Sequence, residues 1–85
     1  MNDSPHTTSV VTLYVVPDCP LCAAVRRELA GRGVAFVERD VANDFGALRR
    51  MYKLTGQRFV PVPELGGIAL VRPTHAELDC LLTQT

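Results

Sequence analysis

The run Val10-Val11-Thr12-Leu13-Tyr14-Val15-Val16 is β-branched or aromatic almost throughout, the pattern of a strand covered on both faces. Pro17-Asp18 ends it. From Pro20 to Arg32 the period changes. Cys22, Val25 and Leu29 recur at helical spacing with arginines on the other side, and a proline suits the first helical turn because its missing N–H has no intrahelical partner there. Gly31 and Gly33 supply the stop. Val34-Ala35-Phe36-Val37-Glu38 reads as a second strand. Asn43 or Asp44 can cap a second helix in which Phe45, Leu48, Met51 or Tyr52, and Thr55 share the apolar face, with Gly56 ending it. Phe59-Val60-Pro61-Val62 and Ile68-Ala69-Leu70-Val71, joined across Gly66-Gly67, read as a hairpin. The last helix opens on Thr74-His75-Ala76-Glu77, a Thr-x-x-Glu capping box, and buries Leu78, Leu81 and Leu82.

The order is therefore β-α-β-α-β-β-α. A right-handed crossover makes the first two strands parallel, and the hairpin adds antiparallel. The expected fold is a mixed four-stranded α/β sheet flanked by three helices lying on both faces. Residues 1–9, polar and interrupted by Pro5, read as a flexible N-terminal tail. Residues 10–85 form one domain, because 85 residues leave no room for a second core.

Composition narrows the function more than the fold. A hydrophobic fraction of 47% with 21% charged residues fits an ordinary globular domain. Nine basic residues balance nine acidic ones, so net charge gives no argument for nucleic acid or anionic membrane. The first residues lack a basic, apolar leader pattern, and no apolar run approaches a membrane span. A cytoplasmic monomer is expected. The odd count of three cysteines argues against a closed framework of structural disulfides.

Two of those cysteines form the motif Cys19-Pro20-Leu21-Cys22. A Cys-x-x-Cys pair is either half of a zinc site or a redox dithiol. Zinc needs about four ligands, and Cys80, His6 and His75 supply no second close pair, so no metal site is expected. Cys22 falls on the apolar helix face. Cys19 falls at the strand–helix junction, where unpaired N–H groups and the macrodipole favour a thiolate, the nucleophile of disulfide exchange. Asp18 opposes that charge. One turn on, Cys22 can attack the mixed disulfide and release product. Val60-Pro61, ahead of the hairpin strand, is a candidate cis peptide. Cys80 reads as an exposed surface residue and His75 as a first-turn residue, not a catalytic base.

A strand, then Cys-Pro-x-Cys opening a helix, then Val-Pro before the third strand resembles the glutaredoxin branch of the thioredoxin-fold superfamily. Leu54-Thr55-Gly56-Gln57-Arg58-Phe59-Val60-Pro61 is similar to the Leu-Thr-Gly-x-Arg-Thr-Val-Pro stretch common in glutaredoxins, and the likeness covers residues 10–83. The resemblance implies a thiol–disulfide oxidoreductase with a thioredoxin-like fold. Cys19 would be the nucleophile and Cys22 the resolving thiol. Pro20, Leu21, Arg58, Val60 and Pro61 would meet substrate: Val60 through its backbone, Arg58 through an anion, unless Arg58 is simply a solvated loop arginine. The implied substrates are protein disulfides or glutathione mixed disulfides. Electrons would come from a glutathione- or thioredoxin-reductase-linked donor, with glutathione as reductant or co-substrate and no bound cofactor. The alternative reading of this chain is an iron–sulfur-cluster-binding module, as some glutaredoxin relatives are, or a redox-inert adaptor of the same fold. The family's Lys three residues before the first cysteine is Val16 here, its Tyr between the cysteines is Leu21, and its Gly-Gly-Cys/Ser-Asp turn is Arg72-Pro73-Thr74. These departures weaken the case for glutathione. Pro63 and Glu64 stand where strand residues are normally apolar, which suggests a bulge or a narrowed groove.

Overall fold

A computed structural model describes residues 10–83; the tail expected over residues 1–9 lies outside them. The elements are β1 (Val11–Val15), α1 (Pro20–Gly31), β2 (Phe36–Asp40), α2 (Phe45–Thr55), β3 (Val62–Leu65), β4 (Ile68–Ala69) and α3 (His75–Leu82). The strands form one sheet in the order β2-β1-β3-β4. β1 pairs with β2 in parallel and with β3 antiparallel, and β3 pairs antiparallel with β4. This is the thioredoxin-like α/β arrangement expected from the element order.

β1 is covered on both sides. Val11, Leu13 and Val15 point to one face and Tyr14 to the other, and all four are buried. The Leu13 face carries Glu38, its neighbour across β2, and α1 reaches this residue through Arg26, which donates to both carboxylate oxygens at 2.5 and 2.9 Å. α3 lies beside α1: Arg32, just past the end of α1, donates to Asp79 of α3 and to Glu28 of α1. The Tyr14 face belongs to α2, whose Arg50 donates to Glu64 of β3 at 2.9 Å.

Glu64 is the residue that strand patterning leaves without a role. It pairs with Thr12 in an unbroken register, so there is no bulge. Its carboxylate, nearly buried, accepts from Tyr14 Oη at 2.7 Å and from Arg50. Burial and that carboxylate hold the Tyr14 phenol above its ordinary pKa. A buried hydroxyl without a partner costs roughly 1–3 kcal/mol, and Glu64 removes that cost for Tyr14.

Strand ends differ from the sequence pattern for identifiable reasons. β2 starts at Phe36, not Val34, because the Val34 N–H turns back to cap Leu29 O of α1. The hairpin strands are displaced as well. Leu70 N donates to Pro63 O and Arg72 N to Pro61 O, but neither proline has an N–H with which to return a bond. The ladder is one-sided beyond Ala69, so β4 is short and β3 begins only at Val62. Pro63 is tolerated because the same bond shows its backbone facing the edge strand β4, not the central β1. Gly66 and Gly67, at φ 60° and 85°, make the two-residue turn between Leu65 and Ile68.

α2 corrects the expected apolar face. Ala47 and Met51 are buried, with Leu48 and Leu54 packed against the core, whereas Phe45 is 71% and Tyr52 49% exposed. Asp44 caps the helix, accepting from Ala47 N, and Gly56 ends it in the left-handed region at φ 69°. α3 follows its pattern. Thr74 and Glu77 make both bonds of the capping box, and Leu78 and Leu81 are buried with Leu82 half-buried.

Candidate functional site

The site is built where β1 ends and α1 begins. Asp18, with φ 57°, turns the chain out of β1; an Asp accepts this left-handed conformation more readily than most residues. Cys19 is then the N-cap of α1, extended at φ −108° and ψ 108°, with Pro20 at the first helical position. Its sulfur does the work usually done by a capping oxygen: Cys22 N–H donates to Cys19 Sγ at 3.1 Å. Cys19 is partly exposed and Cys22 buried, and all three cysteines are free thiols. Burial first, then the bond with Cys19, pushes the Cys22 thiol up from 9.0 to about 11. The two sulfurs are thus made different. Cys19 is the accessible one with a donor aimed at it, and Cys22 is a protonated thiol at neutral pH.

Antiparallel pairing brings the second motif to the same end of the sheet. Because Tyr14 faces Val62, Val60 and Pro61 arrive beside the chain that leaves β1 toward Cys19. The Val60–Pro61 bond is cis. Val60 and Cys22 share one buried cluster, against which Cys19 packs. Leu21 stands at the rim, 52% exposed.

An open groove of about 650 Å³ runs from Cys19, Pro20 and Val16 to Arg26, Glu38 and Asp40. Its one guanidinium is committed to Glu38, which holds that carboxyl below its ordinary pKa and Arg26 above its own. Arg26 lies four residues after Cys22 on α1, a spacing that could have marked it in the sequence.

Two expected contacts are arranged differently from the sequence reading. Arg58 does not line this groove; its guanidinium lies 5.4 Å from the Tyr52 ring centroid, beside α2. Val60 does not present a free carbonyl. Arg72 Nε donates to it at 2.7 Å, while the Arg72 guanidinium lies 5.1 Å from the centroid of Phe59. Arg72 itself sits at φ 46°. Thus the segment that replaces a glycine-rich turn supplies a side chain that braces the Val60–Pro61 loop. No local sequence signal marks that contact, since its partners are twelve or more residues apart.

Residues 11–67 match the family model described as Glutaredoxin. The chain belongs to the glutaredoxin family. It is 32% identical over 73 residues to an uncharacterized glutaredoxin-like 8.6 kDa protein in the rubredoxin operon of Clostridium pasteurianum, covering 86% of this chain and 97% of that one. Among solved structures, a mutant of the thioredoxin-like protein BC3987 superposes with a TM-score of 0.79 at 29% identity, covering 86% of this chain and 94% of that one. The glutaredoxin grx-1 from Archaeoglobus fulgidus gives a TM-score of 0.79 at 18% identity, over 95% and 96% of the two chains; at that identity the likeness concerns the fold. Membership of the glutaredoxin family supports a redox role in general. Among the described residues no helix is long and apolar enough to cross a membrane.

Proposed function

We propose that this glutaredoxin is a dithiol oxidoreductase that reduces protein disulfides or glutathione mixed disulfides through Cys19-Pro20-Leu21-Cys22. The observation that carries the reading is the asymmetry of the pair: an accessible Cys19 sulfur accepting the Cys22 N–H at 3.1 Å, above a buried Cys22 thiol pushed to about 11. The Cys19 thiolate attacks one sulfur of the substrate disulfide. A Cys19–substrate bond forms, the substrate S–S bond breaks, and the first substrate thiol leaves with a proton from solvent. Cys22 then gives up its proton and attacks Cys19 Sγ. The Cys19–Cys22 disulfide forms, and the second substrate thiol departs. Two electrons have moved from protein to substrate.

The first step falls to Cys19 because Cys22 holds its proton at neutral pH and is shielded from solvent. The second is intramolecular, which favours it through proximity. Leu21 offers an apolar contact at the rim, and the Val60–Pro61 backbone meets the incoming segment while Arg72 occupies the Val60 carbonyl. A glutathione- or thioredoxin-reductase-linked donor restores the dithiol in the cytoplasm.

The test is turnover of hydroxyethyl disulfide and insulin with a reductase-coupled assay. Cys19→Ser should abolish it. Cys22→Ser should retain the first step and accumulate a mixed disulfide on Cys19, visible by intact-mass spectrometry. Undiminished turnover by Cys19→Ser would sink the proposal.

A further inference from the structure

α2 carries two apolar stripes; the core takes one of them and, from the other, only part of Leu48. Ala47 and Met51 turn inward. Phe45, Leu48 and Tyr52, at i, i+3 and i+7, line a shallow depression of about 390 Å³ on the outside. Its remaining walls are Arg49, Lys53 and Arg58. Arg49 lies 5.9 Å from the Phe45 ring centroid and Arg58 5.4 Å from that of Tyr52. None of these three cations has a carboxylate partner among the described residues, and no Asp or Glu lines the depression. In a chain with equal numbers of acidic and basic residues, this is a segregated patch: aromatic, flanked by cations, and unpartnered.

Contiguous exposed apolar surface of this kind marks an interaction site more often than a stray surface residue does. Tyrosine and arginine are the residues most often found carrying such interfaces. A second copy of the same patch would oppose cation to cation, so self-association through it is disfavoured. The patch is joined to the Val60–Pro61 segment by a short stretch of chain. Arg58, which forms one of its walls, stands two residues before Val60.

We propose that this outer face of α2 is a docking surface for an acidic segment of a protein partner, one apolar side chain of which seats between Phe45 and Tyr52 while its carboxylates meet Arg49, Lys53 and Arg58. Docking there holds the partner against the helix whose chain leads on to the Val60–Pro61 segment. What the docked protein is for rests on the dithiol reading; whether it docks does not.

The experiment therefore has a binding arm and a turnover arm. Fluorescence anisotropy is read for a labelled peptide of Asp and Glu residues around one Leu, for a matched peptide with Lys in place of the acids, and for a single-stranded oligonucleotide. The acidic peptide should bind tightest. Arg49→Glu with Lys53→Glu should weaken it about tenfold or more, in line with the coupling of close charge pairs across an interface. The neutral pair Arg49→Gln with Lys53→Gln should lie between, and it stands in if the reversed pair does not fold. In the second arm, a disulfide carried by the acidic peptide should lose kcat/KM in these variants by a similar factor, with hydroxyethyl disulfide turnover unchanged. Equal binding of acidic and lysine peptides, or indifference to both variants, overturns the proposal. Tighter binding of the oligonucleotide overturns it in favour of nucleic acid. Absence of turnover on every disulfide would defeat the dithiol reading and leave the binding result to decide the surface.

Discussion

Cys22 is held by two influences acting in the same direction: burial disfavours its thiolate, and so does the neighbouring Cys19 sulfur. Because the folded value lies above 9.0, the folded chain favours the neutral thiol more than the unfolded chain does. Below about pH 9 neither state ionises Cys22 and its contribution is intact. As pH climbs toward about 11, the unfolded chain loses its proton first, so stability falls, by on the order of 2 kcal/mol. Urea unfolding of the reduced protein from about pH 8 upward should show this loss, and Cys22→Ala should lack it, so the gap between the two narrows with pH. A gap that stays constant would show that the thiol is not held in this way. Cys19 and Cys22 were legible in the sequence because their relation is local: four residues, one helix turn. Glu64 was not. Its partners Tyr14 and Arg50 lie 50 and 14 residues away, and nothing in a strand pattern distinguishes a buried acid with two partners from a misplaced one.

At the scale of elements, α2 shows where periodicity stops being informative. Phe45 and Tyr52 on one side of Leu48, and Ala47, Met51 and Leu54 on the other, both extend it into an acceptable helical face, so periodicity alone cannot choose between them. The choice is made by the neighbours: Arg50 is drawn to Glu64 on β3, which turns Met51 inward and Tyr52 out. Met51→Ala should therefore cost about 2–5 kcal/mol, whereas Tyr52→Ser, which loses an exposed ring contact with Arg58, should cost no more than about 1 kcal/mol. Thermal or urea denaturation compares them directly. A Tyr52→Ser loss as large as that of Met51→Ala would mean that the helix is turned the other way. α3 needed no such arbitration, because its capping box and its leucines agree on one face.

In the whole molecule, the redox end depends on a contact between segments that the sequence shows as unrelated. Arg72 leaves the β4–α3 connection, donates to Val60 O at 2.7 Å and lies over Phe59. It ties the chain ahead of β3 to the chain after β4, where the two prolines have left the ladder one-sided. Arg72→Met keeps an apolar stem over Phe59 but removes the charged donor. It should lower stability by about 1.5–3 kcal/mol, the range for a hydrogen bond to a charged group. If that segment meets substrate as proposed, the variant should also raise KM for peptide disulfides more than it changes hydroxyethyl disulfide turnover. Denaturation and steady-state kinetics on the same variant check both halves. The cation–π pair at Phe59 is worth less, about 0.5–1 kcal/mol at an exposed ring.

The sequence by itself determined the order of elements, the parallel first crossover, the capping box of α3 and the Cys19–Cys22 dithiol, because each rests on neighbours within a turn or a strand. Tertiary structure alone decided which stripe of α2 is buried, where β3 and β4 end, why Glu64 is tolerated in a strand, and which group holds Val60. Each of these depends on side chains or backbone donors brought together from distant positions, and their energies exist only once the sheet has closed. The dithiol could be read from four residues. The groove at Cys19 and the cationic aromatic patch on α2 are properties of the fold.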